Sequence, residues 1–389
     1  MIKAWRDVVQ RELKRIWLFK PYLLSLTILP LLSMLLFVAI FSRGVPSDLP
    51  IAIVDNDNTP LSRKVINIIE ATPETTVRYK IANSIEGKRL IRQGAAGAMV
   101  IIPANFEKDI LGMTPTTIGA YISGVNILEN GLISKGLQTS VATFSVGIKI
   151  EILTKQGVAE SQAITQAMPI SIDRHILFNP YTNYSYYLLP SFLPMMILIF
   201  TVLSTIFAIG SELKYSTTEE WIRTAQGSIT VALAGKLTPT ITLMTMMAAV
   251  MFILLFEFVG VPMQGNIWIL LISCFVFILA YISVAIFIIA ITADMRLAMS
   301  LGGGYSVMAF SFSGLTFPAM AMHEVIQWFG RLFPFTYFTE IMIDQALRGA
   351  PIGNSLTQLS YMMIFLLLPL TTARRLKHII LERKYWGKA

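Results

Sequence analysis

The chain has 389 residues, of which 54% are hydrophobic and 14% charged, and its mean hydropathy is +0.64. Soluble domains carry about 25% charged residues, so a soluble enzyme and a disordered chain are both excluded. One cysteine (Cys274) and three separated histidines (His175, His323, His378) exclude a disulfide framework and a Cys/His zinc site. A formal charge of +8 suits nucleic acid or a membrane surface, and only the placement of the charges separates them. Together these figures describe an integral membrane protein.

The first expected element is an amphipathic helix over residues 1–20. Ile2, Trp5, Val9, Leu13, Ile16 and Trp17 share a stripe, while Lys3, Arg6, Lys14 and Arg15 lie elsewhere. That pattern suits a helix lying in the membrane plane, as a plain anchor or as a coupling element. The first span, 22–41 within a segment 21–42, is too long for a signal peptide, and Arg43 follows it in place of a small-residue cleavage site.

Residues 43–187 turn polar and alternate between strand and helix patterns, which predicts an inserted α/β domain. Strands are expected at 50–55, 76–81, 98–102 and 117–122. Helices are expected at 60–70 (Thr59 at the cap, Pro60 first), 85–93 and 105–111, with a long helical stretch over 126–168. Asp55-Asn56-Asp57-Asn58 reads as a turn rather than a divalent-metal site, because no third carboxylate stands at calcium-loop spacing. Tyr181, Tyr184, Tyr186 and Tyr187 then suit an outer aromatic belt.

Five more spans are expected within 188–373, at 188–209, 237–258, 267–291, 297–320 and 356–372. The fold class is therefore a polytopic α-helical membrane protein with six transmembrane helices and an inserted extracytoplasmic α/β domain. In the loop 210–236, Thr217 and Glu220 have capping-box spacing, so a short helix should start near Thr218. Trp221, Ile222 and Ala225 give it an apolar side, and Glu219, Glu220 and Arg223 a polar one, as in a docking element or a solvated loop. Residues 321–355, broken by Pro334 and following Pro318, read as an outer re-entrant hairpin that lids an exit path or simply packs. Residues 374–389 form a basic tail.

Lysine and arginine set the orientation. Sixteen fall before span one, in 210–236, between spans four and five, or after span six, against two (Arg331, Arg348) in the opposite loops. Both termini are therefore expected in the cytoplasm, and nucleic acid is not an expected partner. The chain has no P-loop: Gly235-Lys236 lacks the following hydroxyl residue and enters a span. No catalytic constellation is recognisable. The spans hold no acidic or basic residue at their middles, which argues against an ion-coupled secondary transporter.

In order of elements the chain resembles the ABC-2 type exporter permeases. Ile51-Ala-Ile-Val-Asp55 with Leu61-Ser62, and Ala98-Met-Val-Ile-Ile-Pro103 with Asn105-Phe106, are similar to the motifs of that family's insertion. Asn179-Pro180 with Leu189-Pro190 resembles its return. Glu212, Glu219-Glu220, Thr224 and Gly235-Lys236 are similar to the coupling loop, and Phe317-Pro318, Pro334 and Gly349 to the outer hairpin. His323 follows Met322 where the family pattern has proline, which predicts a displaced kink. The resemblance implies a non-catalytic subunit of the bacterial inner membrane that pairs with itself or with a similar permease. It also implies two copies of a separate ATPase, which bind the ATP and Mg, so that this chain needs no cofactor. A periplasmic adaptor and membrane lipid are further partners. Coupling would run through Glu212, Thr217, Glu219, Glu220, Trp221 and Arg223. Gly302, Gly303, Gly304 and Ser306 would pack a dimer interface or pathway, or simply pack within one subunit. Pro318, His323, Glu324 and Pro334 would shape the hairpin. The implied cargo is amphiphilic or drug-like, moved outward by alternating access. The competing class is a membrane-anchored receptor or phage-adsorption protein acting through its outer domain.

Overall fold

The computed structural model describes the whole chain except residues 43, 169–174, 176, 181, 316 and 388–389. Expectations for Arg43, Tyr181 and Lys388 therefore lie outside the described residues. The chain divides into two compact units, Met1–Gly44 with Ile176–Ala389, and Val45–His175.

The larger unit begins with α1 (Ile2–Leu18), α2 (Lys20–Leu26) and α3 (Ile28–Ile40). Extended backbone at Phe19 separates α1 from α2. The α2–α3 pair is apolar and long enough to span a membrane but bends by 41°. Two local features cause the bend. The Thr27 hydroxyl donates back to the Leu23 carbonyl at 2.7 Å, and Pro30 has no N–H for the carbonyl one turn earlier. On α1 the positions buried against protein are Ala4, Val8, Glu12 and Ile16. Trp5, Leu13 and Trp17, on the stripe expected to face the membrane, are exposed.

The smaller unit alternates β1 (Leu49–Asp55), α4 (Pro60–Glu70), β2 (Thr75–Ile81), α5 (Ser84–Arg92), β3 (Ala98–Ile102), α6 (Phe106–Leu111), β4 (Gly119–Ile122), α7 (Ile127–Lys155) and α8 (Glu160–Ala167). The sheet order is β2-β1-β3-β4. β1 runs parallel to both neighbours, and β4 is antiparallel to β3. Ile51, Ile53, Val100 and Ile102 pack with α4 and α7 residues on one face, while Ala52, Val54 and Met99 form a second cluster on the other. Local polar groups set the boundaries. Thr59 and Ser62 make a reciprocal capping box at Pro60. Asp55 accepts from the amides of Asp57 at 3.1 Å and Asn58 at 3.0 Å, and Asp57 accepts from the Glu107 amide at 3.0 Å. The Asp-Asn-Asp-Asn run is thus a turn that also caps α6.

The larger unit resumes with α9 (Tyr184–Lys214), α10 (Thr218–Thr224), α11 (Ile229–Ile253), α12 (Ile267–Thr292), α13 (Met295–Ser311), α14 (Glu324–Gly330), α15 (Pro334–Met342), α16 (Ile352–Ile364) and α17 (Leu368–Leu381). Among the described residues four continuous helical stretches are long and apolar enough to cross a membrane: Tyr184–Lys214, Ile229–Phe258, Ile267–Thr292 and Ile352–Leu381. The bent α2–α3 pair makes a fifth. In place of the expected fifth span, 297–320, the 17-residue α13 starts at Met295 and ends at Ser311. Beyond Ser311, the Ser313 hydroxyl folds back onto the Phe310 carbonyl and Gly314 takes a left-handed conformation, φ +87°. The last helical stretch, in contrast, runs past 372 into the basic tail. There Arg375 donates to the terminal carbonyls of α12, at 2.9 Å (Ala290) and 2.6 Å (Ile291), groups that the helix itself leaves unpaired. α9 lies at the centre of the unit, packed by α3, α11, α12 and α13.

Candidate functional site

Where α9 ends, its last turn carries Ser211 and Glu212, and the chain reverses through Ser216 (φ 57°) into α10. Glu212 is fully buried. Its carboxylate accepts from Lys236 at 2.6 Å, from both terminal nitrogens of Arg11 (the longer bond 3.1 Å), from Arg15 and from the Thr217 hydroxyl. Lys236, also fully buried, bridges to a second buried carboxylate, Glu12 of α1. Glu12 in turn accepts from Tyr22 at 3.1 Å and lies 3.4 Å from Arg15. Arg15 reaches Ser211 at 2.8 Å. Two anions and three cations thus meet where α1, α2, α9, α10 and α11 converge.

Gly235 makes that meeting possible. A Cβ there would stand 2.7 Å from the Cβ of Val8 and 3.0 Å from the Trp5 carbonyl, so only glycine lets α1 lie on α11. The next residue is Lys236, with its ammonium 4.9 Å over the Trp221 ring. Trp221 is buried, and its indole N–H donates to the Ala232 carbonyl at 3.1 Å. α10 is thereby pinned to α11 by an aromatic residue, and to α9 by the Thr218 hydroxyl on the Glu212 carbonyl, at 3.0 Å.

Burial of this kind is stable only while each buried charge keeps an opposite charge beside it. Removing one member of a buried ion pair leaves an uncompensated charge and costs about 3–5 kcal/mol. At the exposed rim, Arg11 also reaches Glu220 at 3.3 Å. Partial burial opposes charge on Arg11, but the hydrogen bonds and proximity of Glu212 and Glu220 outweigh it and raise its pKa. The cluster holds no nucleophile poised beside a base. Its arrangement joins helices: movement of α1 or α10 must move α9 and α11 or break buried ion pairs.

The capping box expected at Thr217 and Glu220 does not form. Thr217 stands at the cap of α10 without a side-chain cap bond, because its hydroxyl is engaged by the Glu212 carboxylate. Glu220 faces Arg11 instead. Of the proposed coupling residues, Glu212 and Trp221 are buried within the cluster, while Glu219, Glu220 and Arg223 are exposed. Glu219 pairs with Arg383 at 2.8 Å. Glu12, Arg11, Arg15 and Tyr22 were not among the expected site residues. One signal could have found Glu12, a carboxylate in register with Val8 and Ile16 at helical spacing.

The remaining candidates lie elsewhere in the larger unit. A Cβ on Gly302 would meet Ile206 at 2.6 Å and Val202 at 2.9 Å, so this glycine seats α13 on α9 within the chain. Ser306 is buried and donates to the Gly302 carbonyl. Gly303 and Gly304 have open space where a Cβ would stand. In the hairpin region, Pro318 precedes a short turn, Ala319–Ala321. His323 caps α14 by accepting from the Val325 amide, with Glu324 the first, exposed residue of that helix. Pro334 is the buried first residue of α15, whose second amide (Phe335) donates to the buried Tyr281 hydroxyl at 3.0 Å. Among the described residues no group of three or more His, Cys, Asp or Glu side chains is placed to hold a metal ion.

No curated protein matches the chain. The family model for ABC-2 family transporter proteins matches residues 20–374, from the start of α2 through the bundle to the first part of α17. The chain accordingly belongs to the ABC-2 transporter family, as a membrane-integral ABC transporter permease that works with an ABC ATPase partner.

Proposed function

We propose that the chain is the permease subunit of an ATP-driven exporter of the bacterial inner membrane, moving an amphiphilic or drug-like substrate out of the cytoplasm or inner leaflet. The six spans of this reading are α2–α3, α9, α11, α12, α13 and α16–α17, with both termini cytoplasmic and the smaller unit extracytoplasmic. The lysine and arginine asymmetry supports that orientation. Two such permeases, identical or similar, would pair and bind two ATPase copies, which hold the ATP and Mg. Glu219, Glu220 and Arg223 offer the ATPases an exposed charged surface.

The observation that carries the reading is the buried ion cluster beneath that surface. Reversing a two-state equilibrium takes several kcal/mol of differential binding, and ATP-driven closure of the partner supplies it. The cluster passes the displacement of α10 and α1 to α9 and α11, which opens or closes the cavity between facing spans. The test is to co-purify the chain with its ATPase and measure assembly and ATP hydrolysis for Glu220→Ala and Arg223→Ala. Loss of assembly or turnover is expected. Unchanged values in both variants would remove the docking assignment.

A further inference from the structure

The smaller unit contains a cavity of about 650 Å³ between α6, the loop that follows it and α7. Small-molecule sites usually measure about 300–1,000 Å³. Its floor is apolar: Phe106 stacks on Phe144 with ring centroids 5.9 Å apart, and Ile148 lies alongside, all three buried. Met113, exposed on the loop, forms the movable wall, a residue type that adapts to irregular apolar ligands. The cavity opens to the surface of the unit, so a ligand can reach the apolar floor from solvent.

One charged group lines the cavity, Lys149 on α7, and no hydrogen bond or ion pair engages it among the described residues. Its neighbours on α7 differ in this respect, because Glu151 is held by both Lys64 and Lys155. Lys149 is exposed beside the apolar floor, so the cleft offers hydrocarbon and one cation together and complements one alkyl chain ending in one anion. A neutral amphiphile would gain nothing from this water-solvated ammonium, and a cationic one would be repelled.

We propose that this cavity binds a single-chain anionic amphiphile, with the alkyl chain over Phe106, Phe144 and Ile148 and the carboxylate or phosphate head on Lys149. The proposal deepens the export reading by naming a cargo class, yet its test needs neither ATPase nor transport, so either can fail alone.

The full chain in phosphatidylcholine nanodiscs is irradiated with a diazirine analogue of palmitate, and labelled peptides are mapped by mass spectrometry. Labelling is expected on the segments that carry Met113 and Ile148. Palmitate should displace the probe more strongly than laurate, by about tenfold for every two methylenes removed. Two variants keep the result independent of folding, since both residues are exposed. Lys149→Glu should weaken palmitate by roughly two- to fivefold and leave a diazirine hexadecanol probe unchanged, the scale of one solvent-exposed ion pair. Ser145→Trp should fill the slot and abolish both. Competition by lysophosphatidate against palmitate separates a phosphate head from a carboxylate. Labelling confined to the bundle helices, or equal labelling of Lys149→Glu by the palmitate probe, overturns the proposal. Chain-to-chain crosslinks through the same segments would overturn it in favour of a second copy as the occupant.

Discussion

The two units use their carboxylates in opposite ways. In the α/β unit, Asp55 and Asp57 sit half-exposed at strand ends and accept from backbone and hydroxyl groups close at hand, fixing turns and capping helices. In the helical unit, Glu12 and Glu212 are buried and held by side chains from other helices, Glu12 and Lys236 being 224 positions apart. The first kind of contact determines local shape and breaks locally. The second kind couples distant segments, so a small displacement of one is felt by all, as a subunit driven from outside requires. Its stability depends on complete pairing, which is also why it can transmit motion: every member has a discrete set of partners to keep or lose.

The sharpest way to break this comparison is to remove one buried charge. Lys236→Met removes the one fully buried cation that bridges Glu12 and Glu212, leaving them only the partly exposed arginines, and should cost about 3–5 kcal/mol, read as a fall in the thermal unfolding midpoint of the purified chain. A drop no larger than for a surface lysine would mean that the cluster is not buried in the membrane-embedded protein. Gly235→Ala comes next. The added methyl has no room against Val8 and should lift α1 from α11 at a cost of about 1–3 kcal/mol, seen as faster proteolysis within residues 1–20.

In the α/β unit the effects should be smaller and local. Asp57→Ala removes the acceptor for the α6 amide and should cost about 0.5–2 kcal/mol, the range for a lost helix cap. Hydrogen exchange should report it in α6 and β1. Burial slightly opposes charge on Asp57, but the Thr59 hydroxyl and the amides of Glu107, Phe106 and Asn105 outweigh it and lower its pKa. A lowered folded-state pKa contributes stability above the unfolded value of about 3.9 and loses it as pH falls through the folded pKa. Protection of the α6 amides, taken relative to their intrinsic exchange rate at each pH, should therefore fall on acidification in the native chain and lose that acid dependence in Asp57→Asn. The smallest effect belongs to Glu219→Ala. Its exposed pair with Arg383 should contribute about 0–1 kcal/mol, so unfolding stays put and only ATPase binding should change.

Much of the α/β unit was legible because its signals are short-range. Thr59-Pro60 announces α4, the apolar run Ala98–Ile102 ended by Pro103 announces β3, and the Asp55 turn follows from Asp and Asn chemistry alone. Long apolar runs revealed α9, α11 and α12 equally well. The bend at Thr27 and the early end of α13 were missed, because hydropathy averages over a hydroxyl, a proline or a left-handed glycine. The charge cluster was legible only in pieces. Glu212 and Gly235-Lys236 stood out at the ends of spans, but nothing in a linear pattern pairs Lys236 with Glu12. Thr217 shows how a tertiary partner overrides local grammar, since the spacing for a capping box was present and the hydroxyl went to Glu212.

Arg11 offers the most direct approach to the central claim, since it links the exposed Glu220 to the buried Glu212 while Lys236 and Arg15 still neutralise Glu212 in its absence. With the permease and its ATPase reconstituted in liposomes, Arg11→Met should assemble and hydrolyse ATP at the basal rate yet lose the extra hydrolysis that cargo elicits. Full cargo-stimulated hydrolysis in that variant would show that force does not pass through the cluster.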